Sequence, residues 1–144
     1  MIFSQDRTEL RRFFFSVWRK HQAREPMEPL ENLVAEVITQ HPEYHAQLAD
    51  EETALDRDYL PEMGETNPFL HLAMHLAMRE QLATQRPAGI VEIYQKLATA
   101  RGSAHDAEHA MMDCLGEMLW QAQRDGTAPD EKRYMECLKK NVTR

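Results

Sequence analysis

The sequence predicts an all-α protein, a compact bundle of about five or six main helices that forms a single domain over residues 1–144. Apolar residues recur at the three- and four-residue spacing of an amphipathic helix along most of the chain, and alternating, strand-like patterns are almost absent. Proline, glycine and small polar residues stand where successive helical patterns begin or end. A chain of 144 residues is long enough for one domain with a substantial core.

The first third of the chain carries two amphipathic patterns. Ser4 can cap a first helix, and the two prolines of "REPMEP" end it. Pro29 suits the first turn of a second helix. Because a proline disfavours helical geometry in the residue before it, Pro42 should end the second helix at His41. A short helix through "EYHAQL" is expected to follow.

A long connection separates these helices from the rest. Residues 50–66 are acidic, show no clear period and contain a proline and a glycine, which predicts a long connecting loop. Asn67 and Pro68 then form a cap and first-turn pair for the next helix. Later start signals are Pro87, Ser103 and Pro129, and Gly102 and Gly126 mark two helix ends.

Composition argues against two classes of partner. The formal net charge is −7 and the pI is about 5.5, so the phosphate backbone of a nucleic acid should be repelled. No apolar stretch approaches the ~18 residues that a membrane span needs. The N-terminus lacks the basic start and apolar core of a signal peptide. We therefore expect a cytoplasmic protein without nucleic-acid or membrane partners.

Motifs for common enzyme chemistry are missing. The sequence contains no Gly-rich phosphate loop, no G-x-S-x-G and no HExxH, and the glutamate of "HDAEH" stands beside the second histidine instead of the first. Cys114 and Cys137 form no CxxC motif and indicate neither a disulfide framework nor a zinc ribbon. Two buried, reduced thiols are expected.

Histidine spacing is the most informative feature. Six of the seven histidines form three pairs four residues apart, whereas random placement would give roughly 0.3 such pairs. Residues at this spacing lie one above the other on the same helix face, where two imidazoles can bind one ion. The pairs are His41/His45, His71/His75 and His105/His109.

Two of the pairs fall on apolar helix faces. His71 and His75 align with methionines and a leucine of the helix that begins at Pro68, and His105 and His109 share the core side of theirs. Both pairs should therefore point into the bundle, where helical bundles build metal sites. The first pair is weaker, because Pro42 interrupts its helix. The predicted metal ligands are His71, His75, His105 and His109, with Glu108 and His45 as the next candidates.

Nitrogen-rich ligation favours a transition metal ion, zinc or iron, over magnesium or calcium. Copper beside core methionines, a pair of iron ions and a haem held by two histidines are open alternatives. So is a metal-free network in which Glu80, Asp106 or Glu108 accepts hydrogen bonds from the imidazoles.

A different function would leave the histidines purely structural. In that hypothesis the protein is a non-catalytic interaction or adaptor protein, and one of two charged segments contacts the partner. The first is the acidic loop 50–66. The second is the basic first helix, with Arg7, Arg11, Arg12, Arg19 and Lys20, for which a solvated helix face is the simpler interpretation.

Several stretches together resemble one proteobacterial family, the domain of unknown function DUF1841. They are "HPEYH", "ALDRDYLPEMGETNPFLHLAMHLAMREQ", "RPAGI", and "HDAEHAMMDCLGEMLWQAQRDG" followed by "APDEKRYMECL". The resemblance covers the chain from about residue 10 onward. It implies a compact, helical, cytoplasmic bacterial protein, but it supplies no activity and no ligands. The architecture also resembles hemerythrin-like and DinB-like metal-binding bundles, although the order of the histidines differs from both.

Overall fold

The computed structural model describes residues 7–59 and 67–143. Within these ranges the chain forms α-helices and one 3₁₀ turn, and no strand. The expected cap at Ser4, and Pro61 and Gly64 of the predicted loop, lie outside the described residues. The helices are α1 (Arg7–Gln22), α2 (Pro29–Thr39), α3 (His45–Leu48), α4 (Glu51–Ala54), α5 (Pro68–Thr84), α6 (Ile90–Arg101), α7 (Ala104–Asp125) and α8 (Glu131–Val142), with the 3₁₀ turn Pro42–Tyr44 ahead of α3.

The all-α prediction is confirmed for the described residues, but the predicted number of helices is wrong. Eight α-helices are present in these ranges instead of five or six. The difference comes largely from α3 and α4, which have four residues each. Such single turns are too short to show a hydrophobic period, and α4 lies inside the segment expected to be a loop. The Asp50 side chain begins α4 by accepting a hydrogen bond from the Thr53 N–H at 3.4 Å.

Most of the helix boundaries follow the expected signals. Pro29 occupies the first turn of α2, and Ser103 Oγ accepts a hydrogen bond from the Asp106 N–H at 3.0 Å to start α7. Gly102 ends α6 in the left-handed region, at φ 84°. The prediction that α6 starts at Pro87 is wrong by three residues, because the helix begins at Ile90. Gly89, at φ 89°, holds the chain outside helical geometry until Ile90.

The chain divides into two compact units, residues 1–76 and 77–144, with the boundary inside α5. In the first unit α1 packs on α2 and α3, and α3 packs on α4. In the second unit α6, α7 and α8 pack on one another. The expectation of a single domain stays a prediction. Fully buried side chains of the first unit include Phe14, Val17, Val34, Ile38 and Leu72, and those of the second include Ile90, Leu97, Met111 and Leu138.

Arg11 is a structural residue of the first unit. Its side chain is only 2% exposed, and Nη1 donates hydrogen bonds to the backbone oxygens of Ala54, Leu55 and Arg57 at 3.1, 3.0 and 2.8 Å. The guanidinium also lies 4.8 Å from the ring centroid of Phe69. Arg11 thus joins α1 to the end of α4.

The basic surface expected on the first helix is therefore smaller than predicted. Arg11 faces inward to satisfy backbone carbonyls, so its charge does not contribute to an exposed patch. Arg19 lies 3.3 Å from a Glu51 carboxylate oxygen, and Lys20 lies 2.7 Å from one of Glu31. Both charges are thus partly offset within the unit.

The expectation of reduced cysteines is wrong. Cys114 of α7 and Cys137 of α8 form a disulfide in the second unit. They are 23 residues apart, and neither stands in a recognisable motif. Only the packing of α7 on α8 brings the two sulfurs together, which spacing along the chain could not indicate. Among the described helices, none is long and apolar enough to cross a membrane.

Replacement of Arg11 by Met should lower the free energy of unfolding by about 3 kcal/mol, because the carbonyls of Ala54, Leu55 and Arg57 lose a charged donor. Arg12→Met is the matched control, since the Arg12 side chain is exposed one position along the same helix. The control should change stability by no more than about 0.5 kcal/mol. Urea unfolding followed by circular dichroism measures both, and equal effects would contradict the structural role of Arg11.

Candidate metal centre

Three imidazole rings meet in the first unit, one from the turn after α2 and two from α5. Nε2 of His75 lies 3.1 Å from Nε2 of His41 and 3.2 Å from Nε2 of His71. His75 is 0% exposed and His41 is 1% exposed, whereas His71 is partly exposed. We call these three side chains the histidine trio.

Local backbone structure explains how the trio forms. His71 and His75 are one helical turn apart on α5, and their ring centroids are 4.9 Å apart. His41 follows the last turn of α2, where the backbone leaves helical geometry (φ −126°, ψ 65°) ahead of Pro42. This turn places the centroid of the His41 ring 4.5 Å from that of His75.

A backbone hydrogen bond fixes the tautomer of His41. Nδ1 of His41 lies 2.7 Å from the carbonyl oxygen of Val37. A carbonyl oxygen can only accept, so Nδ1 carries the proton and donates it. In the neutral ring Nε2 is then the lone-pair nitrogen, and it faces the other two rings. An N–H donated to a backbone carbonyl is also the arrangement that orients metal-binding histidines.

His75 is the central ring of the trio, since its Nε2 lies within 3.2 Å of Nε2 of both His41 and His71. A metal ion accepts lone pairs from all three Nε2 atoms at once.

The spacing of the nitrogens suits a small ion. Nitrogens bound to tetrahedral zinc at ~2.1 Å are about 3.4 Å from one another. The measured separations of 3.1 and 3.2 Å are slightly shorter, so a small outward shift of the rings would accommodate an ion.

Tyr44 borders the trio. Its ring centroid is 5.9 Å from that of His41 and 5.8 Å from that of His71. Burial raises the pKa of the Tyr44 phenol above its ordinary value, and the carboxylate of Glu43 adds to the effect. The phenol therefore stays protonated and neutral near neutral pH, and it covers the rings without adding charge.

The second unit contains the other expected histidine pair. The rings of His105 and His109 meet edge to face, with centroids 4.3 Å apart, and both side chains are partly exposed. Nδ1 of His109 donates to the carbonyl oxygen of His105 at 3.0 Å, which leaves Nε2 as the lone-pair nitrogen in the neutral ring. Like the trio, this pair presents imidazole nitrogens suited to a metal. That it shares one ion with His71 and His75 stays a prediction.

Glu108 is buried, as the apolar face of its helix predicts. Its side chain is 5% exposed, and Oε1 accepts a hydrogen bond from Nε of Arg79 at 3.2 Å. This ion pair joins the second half of α5 to α7 within the second unit. The contact explains how the carboxylate is held in the core, and a role for Glu108 as a metal ligand stays a prediction.

His45 makes contacts that are typical of a structural residue. Nε2 donates to the carbonyl oxygen of Ile38 at 2.8 Å, and the ring lies 4.6 Å from the centroid of Trp18. His45 therefore connects α3 to α2 and α1. Its expected role as a metal ligand stays a prediction that these contacts do not support.

Comparison with known proteins identifies the family. Residues 6–140 match the family described as domain of unknown function DUF1841. The chain belongs to the DUF1841 family. No curated protein and no solved structure matches it. The likeness to hemerythrin-like and DinB-like bundles stays a prediction.

The ligands expected from the sequence of this DUF1841 protein omit His41. Its position four residues after Val37 continues the apolar stripe of α2, and that was the available signal. The sequence predicts that Pro42 interrupts the helix carrying His41 and His45. Instead, the change of backbone direction at His41 brings the ring beside His75.

Replacement of Glu108 by Gln should lower the free energy of unfolding by about 2 kcal/mol, because the partly buried Arg79 side chain loses its charged partner. Glu117→Gln, an exposed carboxylate on the same helix, is the control and should have little effect. Urea unfolding of the metal-free proteins measures both changes. Equal stability of the two variants would show that the Arg79–Glu108 pair contributes little.

Proposed function

We propose that this protein binds a transition metal ion, zinc or iron, through the histidine trio, with His105 and His109 as further ligands. The observation that carries the proposal is the approach of Nε2 of His75 to within 3.2 Å of two other imidazole Nε2 atoms in a buried setting. Neutral rings so placed present lone pairs to a common point.

The donor set selects the class of ion. Imidazole nitrogens bind zinc, iron and other transition metals, whereas calcium and magnesium need oxygen ligands. Three imidazoles leave at least one coordination position for water, a substrate atom or a further histidine. Zinc in such a site supplies a Lewis acid, and iron supplies redox chemistry. His105 and His109 are proposed for these positions on the strength of their spacing and of the lone-pair nitrogen of His109.

Metal analysis of untagged protein tests the proposal. Wild-type protein should contain close to one transition metal ion per chain and gain thermal stability when zinc or iron is added after chelation, because binding to the native state stabilises it. His41→Ala and His75→Ala should each weaken binding by about 100-fold or more, since each removes a ligand.

His45→Ala is the matched control, because it removes an imidazole of the same first unit that donates to a backbone carbonyl. It should keep the metal even if it lowers stability. Protein that contains no metal, and that gains no stability from zinc, iron or copper, would contradict the proposal. It would favour the interaction-protein hypothesis, in which the histidines are structural.

Variants of His105 and His109 test whether the second histidine pair binds the same ion. If His105 and His109 are ligands, His105→Ala and His109→Ala should lower affinity as His75→Ala does. If only the trio binds the ion, these variants should retain metal while His41→Ala loses it. The same titrations therefore distinguish a three-histidine site from a larger one.

Affinity for zinc should fall as the pH is lowered from about 8 to about 5, because protons compete with the metal for imidazole nitrogens. The gain in melting temperature on zinc addition, measured at each pH with excess zinc, should shrink in parallel. Binding of metal therefore stabilises the protein at neutral pH and ceases to do so in acid. Affinity that is unchanged across this range would indicate carboxylate ligands instead of histidines.

A further inference from the structure

The disulfide of the second unit lies at a cleft. Cys114 and Cys137 both line a groove of about 550 Å³ between α7 and α8. Their exposure differs, because Cys114 is 1% exposed and Cys137 is partly exposed. A reagent that enters the groove therefore meets the Cys137 sulfur first.

We propose that Cys114–Cys137 is a redox-active disulfide, reduced by a dithiol that enters the groove and attacks Cys137. This site is separate from the proposed metal centre and does not depend on it. The proposal rests on the unequal surroundings of the two sulfurs, which favour one direction of thiol–disulfide exchange.

The leaving sulfur has a hydrogen-bond donor. Nδ2 of Asn141 lies 3.1 Å from Sγ of Cys114. When the disulfide breaks, negative charge develops on this buried sulfur, and burial alone would oppose it. The amide N–H of Asn141 stabilises that charge, so Cys114 is the better leaving group. Cys137, the cysteine that is attacked, and Asn141, which assists the departure of Cys114, are thus one turn apart on α8.

The attacked sulfur is beside a carboxylate. Oε2 of Glu117 lies 4.0 Å from Sγ of Cys137. A thiolate approaching Cys137 is repelled by this charge, so Glu117 slows the exchange without blocking it. The same carboxylate disfavours negative charge on Cys137, which reinforces departure of Cys114 instead.

The exchange balances as two displacements. One thiolate of the dithiol bonds to Sγ of Cys137, the Cys114–Cys137 bond breaks, and its electron pair leaves with Sγ of Cys114. The second thiolate of the dithiol then attacks the dithiol's other sulfur, which is bonded to Cys137 in the mixed disulfide. This step joins the two sulfurs of the reagent and releases Cys137 as a thiolate. The protein gains two electrons and two protons as two thiols, and the dithiol is oxidised to a disulfide.

The bond has a structural consequence for the second unit. It closes a loop between residues 23 apart, from the middle of α7 to α8. Reduction removes this cross-link and lets α8 separate more easily from α7. In the cytoplasmic location that the sequence predicts, disulfides are usually transient and redox-sensing, which agrees with a reversible bond.

Reduction of native, chelator-treated protein by excess dithiothreitol tests the proposal, with maleimide trapping and mass spectrometry to count thiols. The variants are Asn141→Leu, which removes the donor, and Glu117→Gln, which removes the charge. Glu131→Gln, an exposed carboxylate of α8 outside the groove, is the control.

Purified wild-type protein should carry the disulfide, lose it within minutes without denaturant, and regain it with oxidised dithiothreitol. Asn141→Leu should slow reduction by about five- to tenfold, and Glu117→Gln should accelerate it about threefold. Glu131→Gln should match wild type. A disulfide that resists the dithiol until the chain is unfolded would overturn the proposal, as would thiols that no oxidant joins. Rates unchanged in Asn141→Leu would overturn the assigned direction of attack.

Discussion

The hydrogen bond from Nδ1 of His41 to the carbonyl of Val37 decides the chemistry proposed for the first unit. It makes Nε2 the lone-pair nitrogen of the neutral ring and holds it toward His75 and His71. With that nitrogen fixed, three Nε2 atoms that lie close together can present lone pairs to one cation. The metal-binding proposal follows from this local constraint more than from the number of histidines in the sequence.

The surrounding contacts serve to hold the turn after α2 in place. His45 donates to the carbonyl of Ile38 and packs on Trp18, which ties α3 to both α1 and α2. Arg11 satisfies three carbonyls at and after the end of α4. Buried polar groups without such partners would favour unfolding of these short helices. Arg11 and His45 do not belong to the histidine trio, but the rigid placement of the trio depends on them.

Helical periodicity predicts much of this fold. It also predicts the histidine pairs that lie within one helix, but not the position of His41. His71 with His75, and His105 with His109, lie side by side because both pairs are local to one helix. His41 reaches its neighbours through a turn, and its position depends on how α2 packs in the first unit. Sequence patterns describe neighbours along a helix but not the route of the chain between helices.

The same limit explains Arg11 and the cysteines. A charged residue on an amphipathic helix is normally assigned to solvent, and only the position of α4 shows that Arg11 has three backbone acceptors. Cys114 and Cys137 are paired by contact between α7 and α8, for which neither residue carries a local signal. Charged and polar contacts between distant segments are thus the features that pattern analysis misses.

X-ray absorption spectroscopy of the metal-loaded protein tests the central claim most directly, because it reports the atoms bound to the ion. We expect a first shell dominated by nitrogen at ~2.0–2.1 Å with the outer-shell signal of imidazole rings. In His41→Ala the imidazole signal should fall by one ring or the metal should be lost. A first shell of oxygen or sulfur without imidazole, or a spectrum unchanged in His41→Ala, would contradict the account.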